Sequence, residues 1–489
     1  MTLAKTRMKF KGELLNTIRD FAKSPIGIVI LIAFLVRVVF LLFVAKAYFG
    51  RENVFVDGDT YAWAGSFQSL LETGTYTANP GLEFGYFGRM PGYSFFIGFF
   101  YILAGFSWER AFPIVAAAQI TLDSMLVFYI YRITVKLSGS ARTGIISSVL
   151  FALYPFSIVW TPVVYSEQLS VFLIVLSFWY LLSNNRFKYS ISASAIALSV
   201  LCRPQALLLV PLYLIYCILD KQILLRKRII SCCYFVLFFT LVYAGWPLRN
   251  YFLHGKIVLT QDIRGFYNWN EDVTAFLQYT YAVKAEWEPQ YTQLIKNQHV
   301  VFPDEAYLNK EDSLKLEKAI LLAQNCGSGF SHKSGFWKPP FDEPNCNAEI
   351  KKLFNELRQN QIKYNPANFY LKVPLKNLQK ALFKSSLSDN ASLTRKLASL
   401  LFYYRSLLIM LGVAGSVFMM LQFPGTRLAA FVILSYFLFL YLFLCAGTSL
   451  QMRNIEMRYF LPSDVLLLIP ASFLINSLYR PHKIIKPVV

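Results

Sequence analysis

The stretch Asp57-Gly58-Asp59-Thr60-Tyr61 places two carboxylates just beyond the first long apolar run of a 489-residue chain. Unpaired charge at the mouth of a membrane span is costly to bury, so such carboxylates are functional candidates by default. A carboxylate there can take a proton from a hydroxyl group. Arg89, Glu167, Arg203, Arg249, Glu456 and Arg458 also fall beside apolar runs, and a guanidinium matches the oxygens of a phosphate bidentately. For any one of these residues the alternative is a charge snorkelling to the interface, or a salt bridge that ties loops together. The case for a site is their joint placement, and that depends on the spans that position them.

Hydrophobic residues make up 56% of the chain and charged residues only 16%, whereas soluble domains carry about a quarter charged residues. A soluble globular protein is therefore excluded, and the chain reads as an all-α polytopic membrane protein. Lys and Arg outnumber Asp and Glu by 48 to 28, giving a net charge of +20. The excess sits in short segments between apolar runs, as the positive-inside rule requires, so it does not point to nucleic acid. Lys5, Arg7, Lys9, Lys11, Arg19 and Lys23 precede the first run, and no small-residue cleavage site follows it. That run reads as an uncleaved span.

A spanning helix needs about 20 apolar residues, and Lys and Arg set its orientation. Residues 1–25 form a basic cytoplasmic segment and 26–48 the first span, so the acidic stretch falls outside. The first external loop, 50–110, carries an amphipathic helix at 60–73 and the fifteen apolar residues 92–106, read as juxtamembrane or re-entrant. Spans follow at 111–131, 144–163 and 167–183, then a hairpin over 189–220 broken at Arg203-Pro204. A seventh span at 229–247 closes an amino-terminal membrane module, 26–247. Spans at 399–421, 428–447 and 460–478 form a second module, 399–478, and 479–489 is a cytoplasmic tail. About ten transmembrane helices satisfy every basic cluster.

Between the modules, 248–398 is long enough for an α-rich extracytoplasmic domain, with helical patterns near 305–324 and 347–360. Cys326 and Cys346 both lie in it and could pair in an oxidising compartment. The other five cysteines fall in apolar runs. His254, His299, His332 and His482 show no metal-ligand spacing.

Taken in order, these motifs resemble the GT-C class of integral-membrane glycosyltransferases, in particular glycosyltransferase family 39, with the protein mannosyltransferases and aminoarabinose transferases. The resemblance is carried by Asp57 to Tyr61 as a D-x-x-x-Y motif, Arg89-Met90-Pro91-Gly92-Tyr93, Ser166-Glu167 and Arg203-Pro204. It continues through Gly245-Trp246-Pro247-Leu248-Arg249-Asn250-Tyr251, Asn365-Pro366 and Glu456-Met457-Arg458-Tyr459. Many relatives carry Asp-Glu where this chain has Asp57-Gly58-Asp59. The spacing to Tyr61 matches Asp57 to the family's catalytic carboxylate, and the choice between Asp57 and Asp59 stays open.

The resemblance implies a polyprenyl-phosphate sugar as donor and a lipid, glycan or protein as acceptor, with chemistry on the outer face of a membrane, the bacterial inner membrane in the first instance. Inverting transfer to a hydroxyl asks for a base opposite the leaving group, assigned to Asp57, with Asp59 and Glu167 as the accompanying acids. The departing lipid phosphate asks for guanidinium groups, for which Arg89, Arg249 and Arg458 are candidates and Arg203 a further one. Tyr61, Tyr93 and Tyr459 belong to the same motifs, and Tyr61, Tyr86, Tyr93 and Trp246 could stack on a sugar or line a prenyl groove. Asp57, Asp59 and Glu167 could hold a divalent cation, as in distant GT-C oligosaccharyltransferases. Family 39 implies metal independence, so no metal and no cofactor is expected. A transporter or flippase, or a polymerase or ligase of lipid-linked surface glycans, is the alternative. Transporters place charge near the midplane and show related halves, and this chain shows no internal repeat.

Overall fold

The structure, a computed structural model, describes residues 23–80, 83–220, 223–262, 271–284, 288–330, 346–383, 394–446 and 457–479. The basic amino-terminal residues through Arg19, together with His332, Glu456, His482 and the tail from Arg480, lie outside these. Among the described residues every regular element is helical, and the chain is an integral membrane protein.

The first helix, α1 (Pro25–Phe49), starts where Ser24 accepts a hydrogen bond from the Gly27 amide at 3.2 Å and Pro25 takes the first helical position. Then come α2 (Gly58–Thr73), α3 (Pro91–Leu103), α4 (Trp108–Ser138), α5 (Ala141–Ala152), α6 (Ser166–Leu182), α7 (Lys188–Cys202) and α8 (Pro204–Leu219). Helices α9 (Leu225–Tyr243) and α10 (Gly245–His254) form one line bent by 45°. An outer group, α11 (Glu271–Val283), α12 (Glu288–Ile295), α13 (Lys310–Cys326) and α14 (Asn347–Tyr364), closes its own core around Phe276, Tyr279, Leu316 and Phe354. Helix α15 (Val373–Phe383) joins it to the final bundle helices α16 (Thr394–Gln422), α17 (Arg427–Ala446) and α18 (Leu461–Leu478).

Among the described residues five helices are long and apolar enough to cross a membrane, six if the bent pair counts as one span, and five further apolar helices are 10–17 residues long. The expected ten spans therefore resolve into a mixture of full-length and short helices. The largest departure is at 144–163. Pro155 pushes Tyr154 into an extended conformation (φ −75°, ψ 106°), α5 ends at Ala152, and the chain reaches Tyr165 through one short helical turn and an irregular stretch containing Pro162. The expected break at Arg203-Pro204 is present, with Arg203 extended between α7 and α8. The Cys326–Cys346 disulfide is formed, with Cα atoms 5.5 Å apart.

Two buried ion pairs grip the broken segment from opposite sides. Arg37 of α1 pairs with Asp123 of α4 with neither side chain exposed. Arg37 also donates to the Ala152 carbonyl at 3.0 Å, and Asp123 accepts from the Ser157 hydroxyl at 2.7 Å. On the other side Arg405 of α16 meets Asp464 of α18 at 2.8 Å. Asp464 accepts from Tyr154 at 3.1 Å and from Tyr441 at 2.8 Å, while Arg405 donates to the Ala381 carbonyl and the Tyr441 oxygen, each at 2.6 Å. Unpaired charges at this depth would be expensive, and here each is met by an opposite charge and by hydrogen bonds.

Candidate active site

Helix α2 begins with a capping box. Asp57 accepts from the Gly58 amide at 2.8 Å, and its own amide donates to the Thr60 hydroxyl at 3.1 Å. Thr60 in turn donates to the Val164 carbonyl at 3.1 Å, and the Val164 amide donates to the Phe55 carbonyl at 2.8 Å. The start of α2 is thus laced to the irregular 159–165 stretch that Pro155 and Pro162 create. A core of Val56, Trp63, Tyr93, Ile97, Val163 and Tyr165 closes beneath it.

The two acids of the opening motif go to different places. Asp57, the expected base, caps the helix, pairs with Arg51 at 3.2 Å and keeps 41% of its side chain exposed. Asp59 turns to the other side of α2. Its Oδ1 accepts from Arg89 at 2.5 Å, and its Oδ2 from Arg458 at 3.2 Å. Arg458 extends the network to Glu167, Nε to Oε1 at 3.3 Å, and Glu167 is also paired with Arg203. Arg203 donates to Ser166 at 3.1 Å. Three guanidiniums from three distant segments thus converge on two carboxylates, and the surviving Glu167 oxygen, Oε2, is buried without a hydrogen-bond partner.

Local sequence explains the convergence. Pro91 starts α3 two residues after Arg89, with Met90 as the N-cap, and a Cβ on Gly92 would lie 2.7 Å from the Leu201 carbonyl carbon. Glycine there lets the Arg89 corner press against the end of α7, next to Arg203. Ser166-Glu167 opens α6, and Arg458 lies in the turn that enters α18. Aromatic rings flank the guanidiniums. Arg458 lies 4.2 Å from the Tyr165 ring centre, Arg203 4.9 Å from Tyr459, and Arg89 5.1 Å from Trp63. Burial alone would raise the Asp59 carboxyl, but Arg89, Arg458 and Arg203 outweigh it and hold it below the usual carboxylate range. Burial pushes the Tyr165 hydroxyl up, against the pull of Arg458, so this tyrosine stays neutral.

The remaining expected residues lie around this centre. Arg249 donates to the Tyr76 and Tyr86 carbonyls at 2.6 and 2.8 Å, lies against Trp246, and shares no ion pair with the others. It clamps the loop after α2 to α10. Tyr93 is fully buried, donates to Gln119 at 2.6 Å and packs edge-on against Trp63, so it supports the floor and offers no stacking face. Tyr61 is 67% exposed on α2. Tyr86 packs against His254, and Trp246 donates to the Thr260 carbonyl at 2.6 Å. The carboxylates as arranged do not fit a resident metal ion, because Asp59 and Glu167 both face guanidiniums and no group of three metal-ligating side chains gathers among the described residues.

Sequence reasoning missed Tyr165 and Arg51, and the paired charges Arg37, Asp123, Arg405 and Asp464. Each of those four interrupts an apolar run, which is the signal that could have found them.

No family model matches the chain, and no curated protein does. Solved structures do. The oligosaccharyltransferase of Archaeoglobus fulgidus, solved with a tethered acceptor peptide, aligns at a TM-score of 0.52 and 12% identity over 95% of this chain and 51% of its own. The same enzyme in complex with an inhibitory peptide and a dolichol-phosphate aligns at 0.51 and 14%, over 94% and 52%. ArnT from Cupriavidus metallidurans, bound to undecaprenyl phosphate, gives a TM-score of 0.39 and 14% identity over 91% and 77%. This chain spans about half the length of the archaeal enzyme. It has the GT-C fold that its motifs lead one to expect.

Proposed function

We propose that this protein is a glycosyltransferase that moves a sugar from a polyprenyl-phosphate donor to an acceptor hydroxyl at the extracytoplasmic face of a bacterial inner membrane, with inversion. The observation that carries the reading is the meeting of Arg89, Arg203 and Arg458 over Asp59 and Glu167 at one end of the bundle. Guanidiniums so gathered suit a phosphate leaving group, and a carboxylate among them suits proton transfer. The GT-C fold agrees, since a solved structure with that fold is described as a complex with a dolichol-phosphate. Sidedness is supported by Arg142, which lies against Tyr479 at the end of α18 opposite to Arg458, where the positive-inside rule places the cytoplasm.

In this reading Asp59 is the base, because it is the acid that faces the arginines, while Asp57 is occupied in capping α2. The acceptor oxygen attacks the anomeric carbon, its proton passes to Asp59, and the carbon–oxygen bond to phosphate breaks with its electron pair left on the phosphate. Glu167 holds Arg203 and Arg458 in place. The outer helices α11–α14 are assigned to the acceptor, which is lipid, glycan or protein. Purified protein given a polyprenyl-phosphate sugar should release polyprenyl phosphate, and Asp59→Asn should not. Full release by that variant would remove Asp59 as the base.

A further inference from the structure

The end of the bundle away from the arginine cluster carries a second set of cations, which the proposed reaction does not use. Helices α6 and α7 bring Glu167 and Arg203 to the site at one end, while Trp179, Asn184, Arg186 and Lys188 lie at the other. From Glu167 to Trp179 the helix rises about 18 Å at 1.5 Å per residue. Helix α4 packs alongside α6 and carries Arg132 and Lys136 towards its own end, one turn apart on one face and both exposed. The Arg132 guanidinium lies 5.1 Å from the Trp179 ring centre and 5.8 Å from that of Phe128. Lys136 donates to the Asn184 side-chain oxygen at 3.1 Å. The two α4 cations are thus registered, turn by turn, against the end of α6 and the loop that follows it.

Among the described residues no acid answers them. Glu167 is the sole carboxylate residue between Asp123 and Asp220 in the sequence, and it stands at the opposite end of α6. Asp123 is taken by Arg37, and Asp220 is buried where α8 ends. Arg132, Lys136, Arg186 and Lys188 have no ion pair among the described residues. Like charges one helical turn apart repel, so the arrangement is a cost unless an anion offsets it. Two further features at this end leave donors unmet: α7 starts with no side-chain cap and no acid in its first turn, and the Tyr189 hydroxyl is buried without a hydrogen-bond partner. The positive-inside rule explains cations at this end, but not their register against Trp179 and Asn184.

Depth identifies the anion. Helix α4 has 31 residues, which makes it about 46 Å long against a hydrocarbon core of about 30 Å, so its ends reach the headgroup layers. Tryptophan near a helix end marks the same level. A guanidinium beside Trp179 therefore lies where a phospholipid carries its phosphate, with the rings of Trp179 and Phe128 towards the acyl chains.

We propose that Arg132 and Lys136, with Trp179 and Asn184, form a binding site for the headgroup phosphate of an anionic phospholipid. Arg132 supplies a planar fork of donors at the hydrocarbon boundary, and Lys136 a point charge one turn further out. Arg186 and Lys188, on the turn into α7, add positive charge around the headgroup. The site uses none of the residues assigned to sugar transfer, so it stands or falls independently of that reading.

The test is lipid binding to the purified full chain in neutral detergent, read by native mass spectrometry, with phosphatidylglycerol, phosphatidylcholine and glycerol phosphate as probes. Wild type should retain phosphatidylglycerol in preference to phosphatidylcholine. Arg132→Gln with Lys136→Gln should weaken phosphatidylglycerol binding about thirtyfold, each cation at an anionic surface being worth about a factor of five, and leave phosphatidylcholine unchanged. Arg226→Gln with Lys227→Gln, which removes two cations from the start of α9, should keep the preference. Equal retention of the two lipids by wild type overturns the site, whether or not either variant folds. A preference that survives the loss of Arg132 and Lys136 also overturns it, as does one that falls equally with the loss of Arg226 and Lys227, since the attraction is then diffuse. Glycerol phosphate displacing phosphatidylglycerol at equal concentration would assign the cations to a soluble phosphate and remove the lipid.

Discussion

Asp464 and Asp59 both face arginines near the start of α18, and the two clusters are built to opposite ends. Around Asp464 one arginine meets one carboxylate, two tyrosine hydroxyls also donate to that carboxylate, and the pair is almost wholly buried, with side chains 0% and 3% exposed. Among the described residues around Asp59 and Glu167, three guanidiniums face two carboxylates, Asp59 is 29% exposed, and one buried carboxylate oxygen has no hydrogen-bond partner. A closed stoichiometry makes a clamp that has nothing left to offer a ligand. An open one leaves charge and hydrogen-bonding capacity for something that arrives from outside. Under the proposed function, the same residue types serve structure in one place and chemistry in the other.

The comparison breaks most visibly if equivalent changes give equivalent results. Asp59→Asn removes the proton acceptor and should lower turnover by about 10²–10⁴-fold with a thermal midpoint close to wild type. A matching loss of stability, seen in a thermal melt, would make Asp59 another clamp. Arg405→Leu strands Asp464 as a buried charge and should cost about 3–5 kcal/mol of stability, read as a large fall in thermal midpoint. An unchanged melt would show that this cluster does not hold the 153–158 segment.

The smallest effect is expected at Asp57. Asparagine caps a helix about as well as aspartate, and the pair with Arg51 is half-exposed, so its worth is discounted to under about 1 kcal/mol. Asp57→Asn should keep turnover within about tenfold of wild type, since a general base contributes 10² or more. A loss as large as that of Asp59→Asn would return the base to Asp57, where the motif spacing first put it.

Much of the fold was readable from apolar runs and basic loops. Helices stand at α1, α4, α6 and α16–α18 where those runs lie, the Arg203-Pro204 break is real, and Cys326 finds Cys346. The run 144–163 misled, because its composition is apolar enough to span while Pro155 and Pro162 prevent a helix from doing so. That same break supplies Tyr165 and the Val164 carbonyl, so the misread segment is the one that builds the site floor.

The site was legible as a set of residues and less so as an arrangement. Glu167, Arg89, Arg203 and Arg458 meet, whereas Arg249 is committed to the Tyr76 and Tyr86 carbonyls. Spacing to Tyr61 favoured Asp57 over Asp59, but two residues along a helix turn side chains to nearly opposite faces. Only the packing of α2 against the 163–165 stretch decides which acid turns inward. Arg37–Asp123 and Arg405–Asp464 were hidden because a sequence shows charges within spans and not their partners.

The most direct measurement is an experimental structure of the protein with polyprenyl phosphate bound. The account predicts phosphate density within hydrogen-bonding distance of Arg89 and Arg458, with Asp59 beside it and Glu167 still paired with Arg203. Phosphate found away from these arginines would contradict it.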